Sequence, residues 1–174
     1  MEALKAYWRL AMQTNKEMIR SVLIPLTEDA LLLPHSALIE IIPERDIRQL
    51  DGAPEWVVGE IEWNNEIMPL LSIEAATGSE KNLKSKRSRL IVLAFLTKNN
   101  RYNYLAIRAT GVPKLVQLLP DALEAKDTHG IGSKFVNFYG SLNDQSVILP
   151  NMAELEANIL SINAGNLYLS LAKA

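Results

Sequence analysis

The chain contains no cysteine, only two histidines and only 6% aromatic residues among its 174. Without cysteine there is no disulfide, no thiolate nucleophile and no sulfur-ligated zinc, a pattern that fits a reducing cytosol. His35 and His129 stand far apart and neither has a second ligand at helical spacing, so an H-E-x-x-H metal site is excluded. Both are read as surface or turn histidines. Charge of one sign is also scarce: a formal net charge of −2 offers nothing to track a phosphate backbone. Long hydrophobic runs are missing too. "SRLIVLAFL" is about half of the roughly 18 to 20 apolar residues a membrane helix needs, and Lys5, Arg9 and Lys16 interrupt the N-terminus where a secretion signal would lie. The expectation is a cytoplasmic protein without membrane insertion.

What is present is an ordinary apolar fraction of 48% and a charged fraction of 22%, in a chain long enough for one well-filled core or two small fused ones. Leu4, Tyr7, Trp8, Ala11, Met12, Met18 and Ile19 recur at spacings near three and four, which predicts an amphipathic helix over residues 3–20. Its apolar face packs either on its own domain or on another protein. Short apolar runs follow: "SVLIPL", a turn at "TEDA", then "LLLP" read as a hairpin. In "HSALIEIIPERDIRQL", Ala37, Leu38, Ile41 and Ile42 after the potential cap Ser36 predict a helical turn or two before Pro43. "RLIVLAFL" is continuously apolar and reads as a strand buried on both faces. "YLAIRATGV", "KLVQLL", "KFVNFYGSL" and "SVILP" read as further strands, with a turn at "NDQ", and a closing helix runs from Ala153 to Leu160 with an extension beyond it. Two sets of short strands on either side of the linker "TGSEKNLKSKRS" indicate a β fold in two halves.

A search for chemistry finds no active site. "PHSAL" sets His35 beside Ser36 but supplies neither a nucleophile elbow nor an oxyanion hole, so a hydrolase is a remote alternative. "HGIGSKF" lacks the glycine five positions before Lys134 that would wrap a phosphate, and is read as a loop. Glu60 and Glu62 point to one face of a strand and resemble paired carboxylates, but two solvated glutamates on the outer face of a hairpin explain them as well. The cluster Lys81, Lys84, Lys86, Arg87 and Arg89 has no interleaved aromatics to stack bases and reads as a solvated loop. A small β-barrel nucleic-acid binder or a general protein-interaction module is kept as an alternative class.

The stretch "GEIEWNNEIMPLL" from Gly59 to Leu71 is the most specific feature. Asn64 and Asn65 suit a type I′ turn, because asparagine tolerates positive φ better than other non-glycine residues. The order of "LIEI", with Glu40 acidic, then Pro54, Val57, Val58 and Gly59, then Trp63, Asn64, Asn65, Pro69, Leu70 and Leu71, resembles the CheW-like domain of bacterial chemosensory adaptors. "SRLIVLAF" and "FVNFYGSLNDQSVILPNMAEL" continue the likeness, over residues 21–157. The finer resemblance is to the ChpC-like branch of type IV pilus systems, associated with twitching motility.

The resemblance implies a mostly β fold of two intertwined five-stranded SH3-like barrels with short helices and an N-terminal amphipathic helix. It places the first barrel at about 21–80 with a late strand from the second half, and the second at about 88–150. The chain divides into the helix at 1–20, the CheW-like domain at 21–157 and a C-terminal extension at 158–174. The implied work is non-enzymatic, without cofactor or metal: coupling a methyl-accepting chemoreceptor to the regulatory domain of a CheA-type histidine kinase. Leu38, Glu40, Gly59, Trp63, Asn64 and Asn65 are the expected partner-binding edge. The packed alternative for Trp63 is a core or inter-barrel residue. Departures fall where the family carries function: the hairpin arginine and glycine are Asn64 and Asn65, and family aspartates are Ser72, Arg108 and Pro150.

Overall fold

In the computed structural model, the residues described are 18–78, 87–119, 121–127 and 134–172, with side chains followed to residue 162. The expected helix over 3–20 lies largely outside them. Where the description begins, Ile19 and Arg20 are already extended.

The strands are β1 (Ile19–Pro25), β2 (Ala30–Pro34), β3 (Leu38–Ile42), β4 (Val57–Trp63), β5 (Glu66–Leu71), β6 (Arg89–Ala94), β7 (Tyr104–Ala109), β8 (Lys114–Leu118), β9 (Glu124–Ala125), β10 (Val136–Leu142) and β11 (Gln145–Pro150). A short helix α1 (Ile73–Ala76) follows β5, and α2 (Met152–Ala172) closes the described chain. One sheet has the order β3-β6-β7-β5-β4 and the other β8-β1-β2-β11-β10-β9. These form two SH3-like barrels with few short helices, as the resemblance implies. Among the described residues the second sheet has six strands, because β9 adds a two-residue edge to the expected five.

The division of the chain between the barrels differs from the expected one. The first barrel takes residues 38–109, while the second combines the N-terminal hairpin at 19–34 with residues 114–150. Two short parallel ladders set this arrangement. Leu70 and Leu71 of β5 pair with Ala106 and Ile107 of β7, and Val147 and Ile148 of β11 pair with Ala30 and Leu31 of β2. Pro69 stands one residue before the first of these ladders, where its missing N–H removes no bond from it.

Alternation along the strands divides the apolar residues among three cores. Leu90 and Val92 of β6 fill the first barrel with Ile61, Met68 and Leu70. Their neighbours Ile91 and Leu93 face a shared core between the barrels, with Val22, Ile24, Leu31 and Leu33 from the second sheet and Leu155 and Ile159 of α2. Leu32, Leu118, Leu142, Val147 and Leu149 fill the second barrel. This is why β6 is apolar at every position from Leu90 to Ala94: it is buried on both faces. At about 25 cal/mol per Å2 of apolar area removed from water, each such leucine or isoleucine contributes about 2 kcal/mol.

The expected helical turn after Ser36 shortens to a 3-10 turn, His35–Ala37, and Leu38–Ile42 is strand β3. Leu38 and Ile42 do satisfy a helical spacing, but the "LIEII" run is β-branched and finds a ladder partner in β6. His35 and Ser36 are exposed on that turn, and His129 lies outside the described residues. The closing helix and its extension form one helix, Met152–Ala172. No described helix is long and apolar enough to cross a membrane.

Candidate functional site

The β4–β5 hairpin is built as its sequence requires. Trp63 and Glu66 flank the turn, and Asn64 and Asn65 sit at φ of 50° and 60°, the two left-handed positions of a type I′ turn. At the base of the hairpin, Gly59 is fixed by a close approach rather than by flexibility. A Cβ there would lie 2.5 Å from the Arg48 carbonyl oxygen and 2.6 Å from Ile47 Cγ2. The segment around Arg48 therefore rests against β4, joined by Arg48 N–H to the Glu60 carbonyl at 2.8 Å and Glu60 N–H to the Arg48 carbonyl at 2.9 Å.

Beyond that bridge the chain before Arg48 separates from β4, leaving an open groove of about 820 Å3. One wall is Arg45–Arg48; the other is Glu60–Asn65 with Ile67. Trp63 does not project into solvent. Its side chain is 8% exposed and packs edge-on against Tyr104 at 5.4 Å, in the core of the first barrel, so the packed alternative describes it. The exposed apolar group on the hairpin is Ile67, 45% exposed and paired across the strands with Glu62.

The expectation for Glu60 and Glu62 is corrected. Glu62 is solvated, but Glu60 is 3% exposed. Its Oε2 accepts from the Arg48 guanidinium, and its Oε1 accepts from the Tyr102 hydroxyl at 2.5 Å, with Arg101 at 3.6 Å. Burial pushes the Glu60 carboxyl up, but the bonds from Arg48 and Tyr102 and the charges of Arg48 and Arg101 outweigh it, holding Glu60 below the ordinary carboxylate range. Burial, then the bond to Glu60, pushes the Tyr102 hydroxyl up to about 12. Because Arg48 remains 66% exposed, water screens its half of the ion pair.

The six expected edge residues fall into two groups. Gly59, Trp63, Asn64 and Asn65 belong to the β4–β5 hairpin, whereas Leu38 and Glu40 lie on β3, at the other end of the strand order. Leu38 packs against the shared core, and Glu40 is exposed. The departures are accommodated by local chemistry. Ser72 caps α1 by accepting from Ala75 N–H at 3.3 Å, a task an aspartate would also perform. Arg108 is buried and makes a forked contact with Glu44 at 2.9 and 3.1 Å. Pro150 ends β11. Arg48, Arg101 and Tyr102 are site residues that sequence reasoning missed. Among the described residues no group of three or more His, Asp or Glu side chains is placed to hold a metal.

Fold and groove together define a double-barrel protein-interaction module. The CheW-like domain family matches residues 20–158, and the chain belongs to that family. The fold is similar to the crystal structure of the scaffolding protein TtCheW from Thermoanaerobacter tengcongensis, with a TM-score of 0.63 and 21% identity over 77% of this chain and 89% of that one. No curated protein matches the chain in sequence. Family membership leaves the nucleic-acid and hydrolase alternatives without support.

Proposed function

We propose that the chain is a non-enzymatic adaptor of a chemosensory system, working in the cytoplasm and coupling a methyl-accepting chemoreceptor to the regulatory domain of a CheA-type histidine kinase. The supporting observation is a CheW-like domain at 20–158 folded as two interlocked barrels, with an open groove of about 820 Å3 beside the β4–β5 hairpin tip. Such a surface acts by apolar anchors within a polar rim. Ile67 and Ile39 are exposed apolar groups of that type, on the hairpin and on β3.

Asn64 and Asn65 keep the hairpin tip tight while removing the charged fork of the family arginine. The chain therefore engages its receptor through shape and hydrogen bonding at the tip, in a type IV pilus system of the ChpC-like branch. Titration of the purified chain against a CheA-type regulatory domain and against the soluble cytoplasmic hairpin of a chemoreceptor tests the reading. Binding to both is expected, and binding to neither removes it. Asn64→Arg is expected to strengthen the receptor arm and leave the kinase arm unchanged.

A further inference from the structure

Glu60 is buried behind the groove, and its contacts do not end at the hairpin. Tyr102, which donates to it, belongs to the connection between β6 and β7, and that connection is fixed at both ends. Near its start, Glu156 of α2 accepts from Leu96 N–H at 2.7 Å, Thr97 N–H at 2.8 Å and the Thr97 hydroxyl at 2.5 Å. In its middle, the Asn99 side-chain oxygen Oδ1 accepts from Arg101 N–H and Tyr102 N–H, both at 2.7 Å, which sets the turn that aims Tyr102. At its end, the Asn103 amide donates to Glu66 beside the hairpin turn, at 3.2 and 3.3 Å.

We infer that Tyr102 is a positioning residue for the hairpin groove, and that the segment 95–103 carries the position of the closing helix α2 to the Arg48–Glu60 bridge that joins the two walls of that groove. The physical reason lies in where each contact falls. The Arg48 bridge is a single pair of backbone bonds outside any named strand, so it has no ladder to hold it. Arg48 is largely solvated and cannot fix Glu60 alone. The hydroxyl of Tyr102 is buried and gives Glu60 a short, charge-assisted bond from the protein interior, the geometry that fixes a rotamer best. The chain of contacts is contiguous and polar at each step: Thr97 donates to Glu156, the Asn99 side-chain amide donates to the Thr97 carbonyl at 2.9 Å, Tyr102 N–H donates to Asn99 Oδ1, and the Tyr102 hydroxyl donates to Glu60. Two rigid elements that share no ladder, α2 and β4, are thereby joined through one loop.

The inference rests on the adaptor reading only for its use; the positioning itself is measured apart from any partner. Tyr102→Phe keeps the ring and its contact with Phe95 at 6.0 Å but removes the hydroxyl. The expected result is amide hydrogen exchange at Arg48 and Glu60 faster by about tenfold or more, with exchange at Gly140 and Val147 of the other hairpin unchanged. Glu156→Gln should accelerate the same two amides by a smaller factor, and the double variant should add less than the two effects separately. Unchanged exchange at Arg48 and Glu60 in Tyr102→Phe overturns the inference, as does uniform acceleration over both hairpins, which signals general loosening. Should that variant fail to fold, the carbon-13 resonances of the unaltered chain decide. The Tyr102 ring carbon bearing the hydroxyl must shift as the Glu60 carboxyl titrates, and an unmoved Tyr102 resonance is the negative result. Receptor-fragment affinity then separates the two readings. Faster exchange with weaker binding supports both, while faster exchange with unaltered binding keeps the positioning and removes the hairpin from the receptor contact.

Discussion

The β4–β5 and β10–β11 hairpins, one in each barrel, are copies of one plan with two differences. In β4–β5, Gly59 faces Leu70, which pairs in parallel with Ala106; in β10–β11, Gly140 faces Val147, which pairs in parallel with Ala30. Each glycine lies against backbone from a neighbouring segment, near Arg48 in one case and Glu124 in the other. Each turn holds two non-glycine residues at positive φ, Asn64 and Asn65 or Asn143 and Asp144. The second hairpin turns after Leu142, directly beyond Ser141, whereas the first continues past Ile61 through Glu62 and Trp63 before turning. That extra length carries the groove wall. The residue after the glycine also differs: Ser141 in the second hairpin, and in the first Glu60, with its ring of donors. The common plan holds the fold together, and the added length and the buried carboxylate are what make one hairpin a candidate site.

The largest effect should come from the shared element. Gly59→Ala puts a Cβ into the Arg48 carbonyl, and Gly140→Ala puts one into the Glu124 carbonyl and the Phe138 ring. Each is expected to cost about 3 kcal/mol in urea unfolding, since the obstacle is backbone that cannot rotate away. Equal costs uphold the equivalence of the halves, and a glycine that tolerates alanine breaks it. Next is the residue that differs. Glu60→Ala removes the charged acceptor of the Tyr102 hydroxyl and of Arg48, for about 2 kcal/mol, whereas Ser141→Ala should stay within about 0.5 kcal/mol. Similar losses at both positions would remove the contrast.

The same carboxylate sets a pH dependence. Glu60 has a folded pKa below its unfolded value, so its contribution is complete above the ordinary carboxylate range and is lost as pH falls through the folded value. Tyr102 is raised from 10.0 to about 12, so its contribution is complete below 10.0 and fades as pH rises through about 12. Denaturation midpoints measured across pH should therefore decline at both ends, and Tyr102→Phe should flatten the alkaline decline. An alkaline limb unaltered by that substitution would assign it to another group.

Much of this was legible in local pattern, and the rest was not local. The turn at Asn64 and Asn65, the doubly buried β6 and the Trp63 alternation follow from period-two burial and positive-φ chemistry. The exchange of strands between barrels was not readable, because a strand's own alternation says which face is buried and nothing about which strand is its neighbour. The β2–β11 ladder is only Ala30 with Val147 and Leu31 with Ile148, and no periodicity announces it. Glu60 and Glu62 obey the same alternation and look alike in sequence. What separates them is Tyr102, distant by 42 positions and delivered by a loop whose Asn99 turn is visible only once folded.

The smallest predicted effect is at the tips. An alanine at φ near 50° to 60° crowds its Cβ against the carbonyl, so Asn64→Ala and Asn143→Ala should each cost about 1 kcal/mol in thermal or chemical unfolding. Glycine at the same positions should change stability by only a few tenths of a kcal/mol, since it adopts this conformation freely while losing the side chain's local hydrogen bonding. In stability, then, the two tips are predicted to be alike. In binding they should part: Asn64→Gly keeps the turn but deletes the polar side chain from the groove wall, and should weaken the receptor fragment's affinity, whereas Asn143→Gly should not. If both tips or neither affected that affinity, the longer hairpin would have no special claim to the receptor, and its extra residues would serve only to bury Trp63.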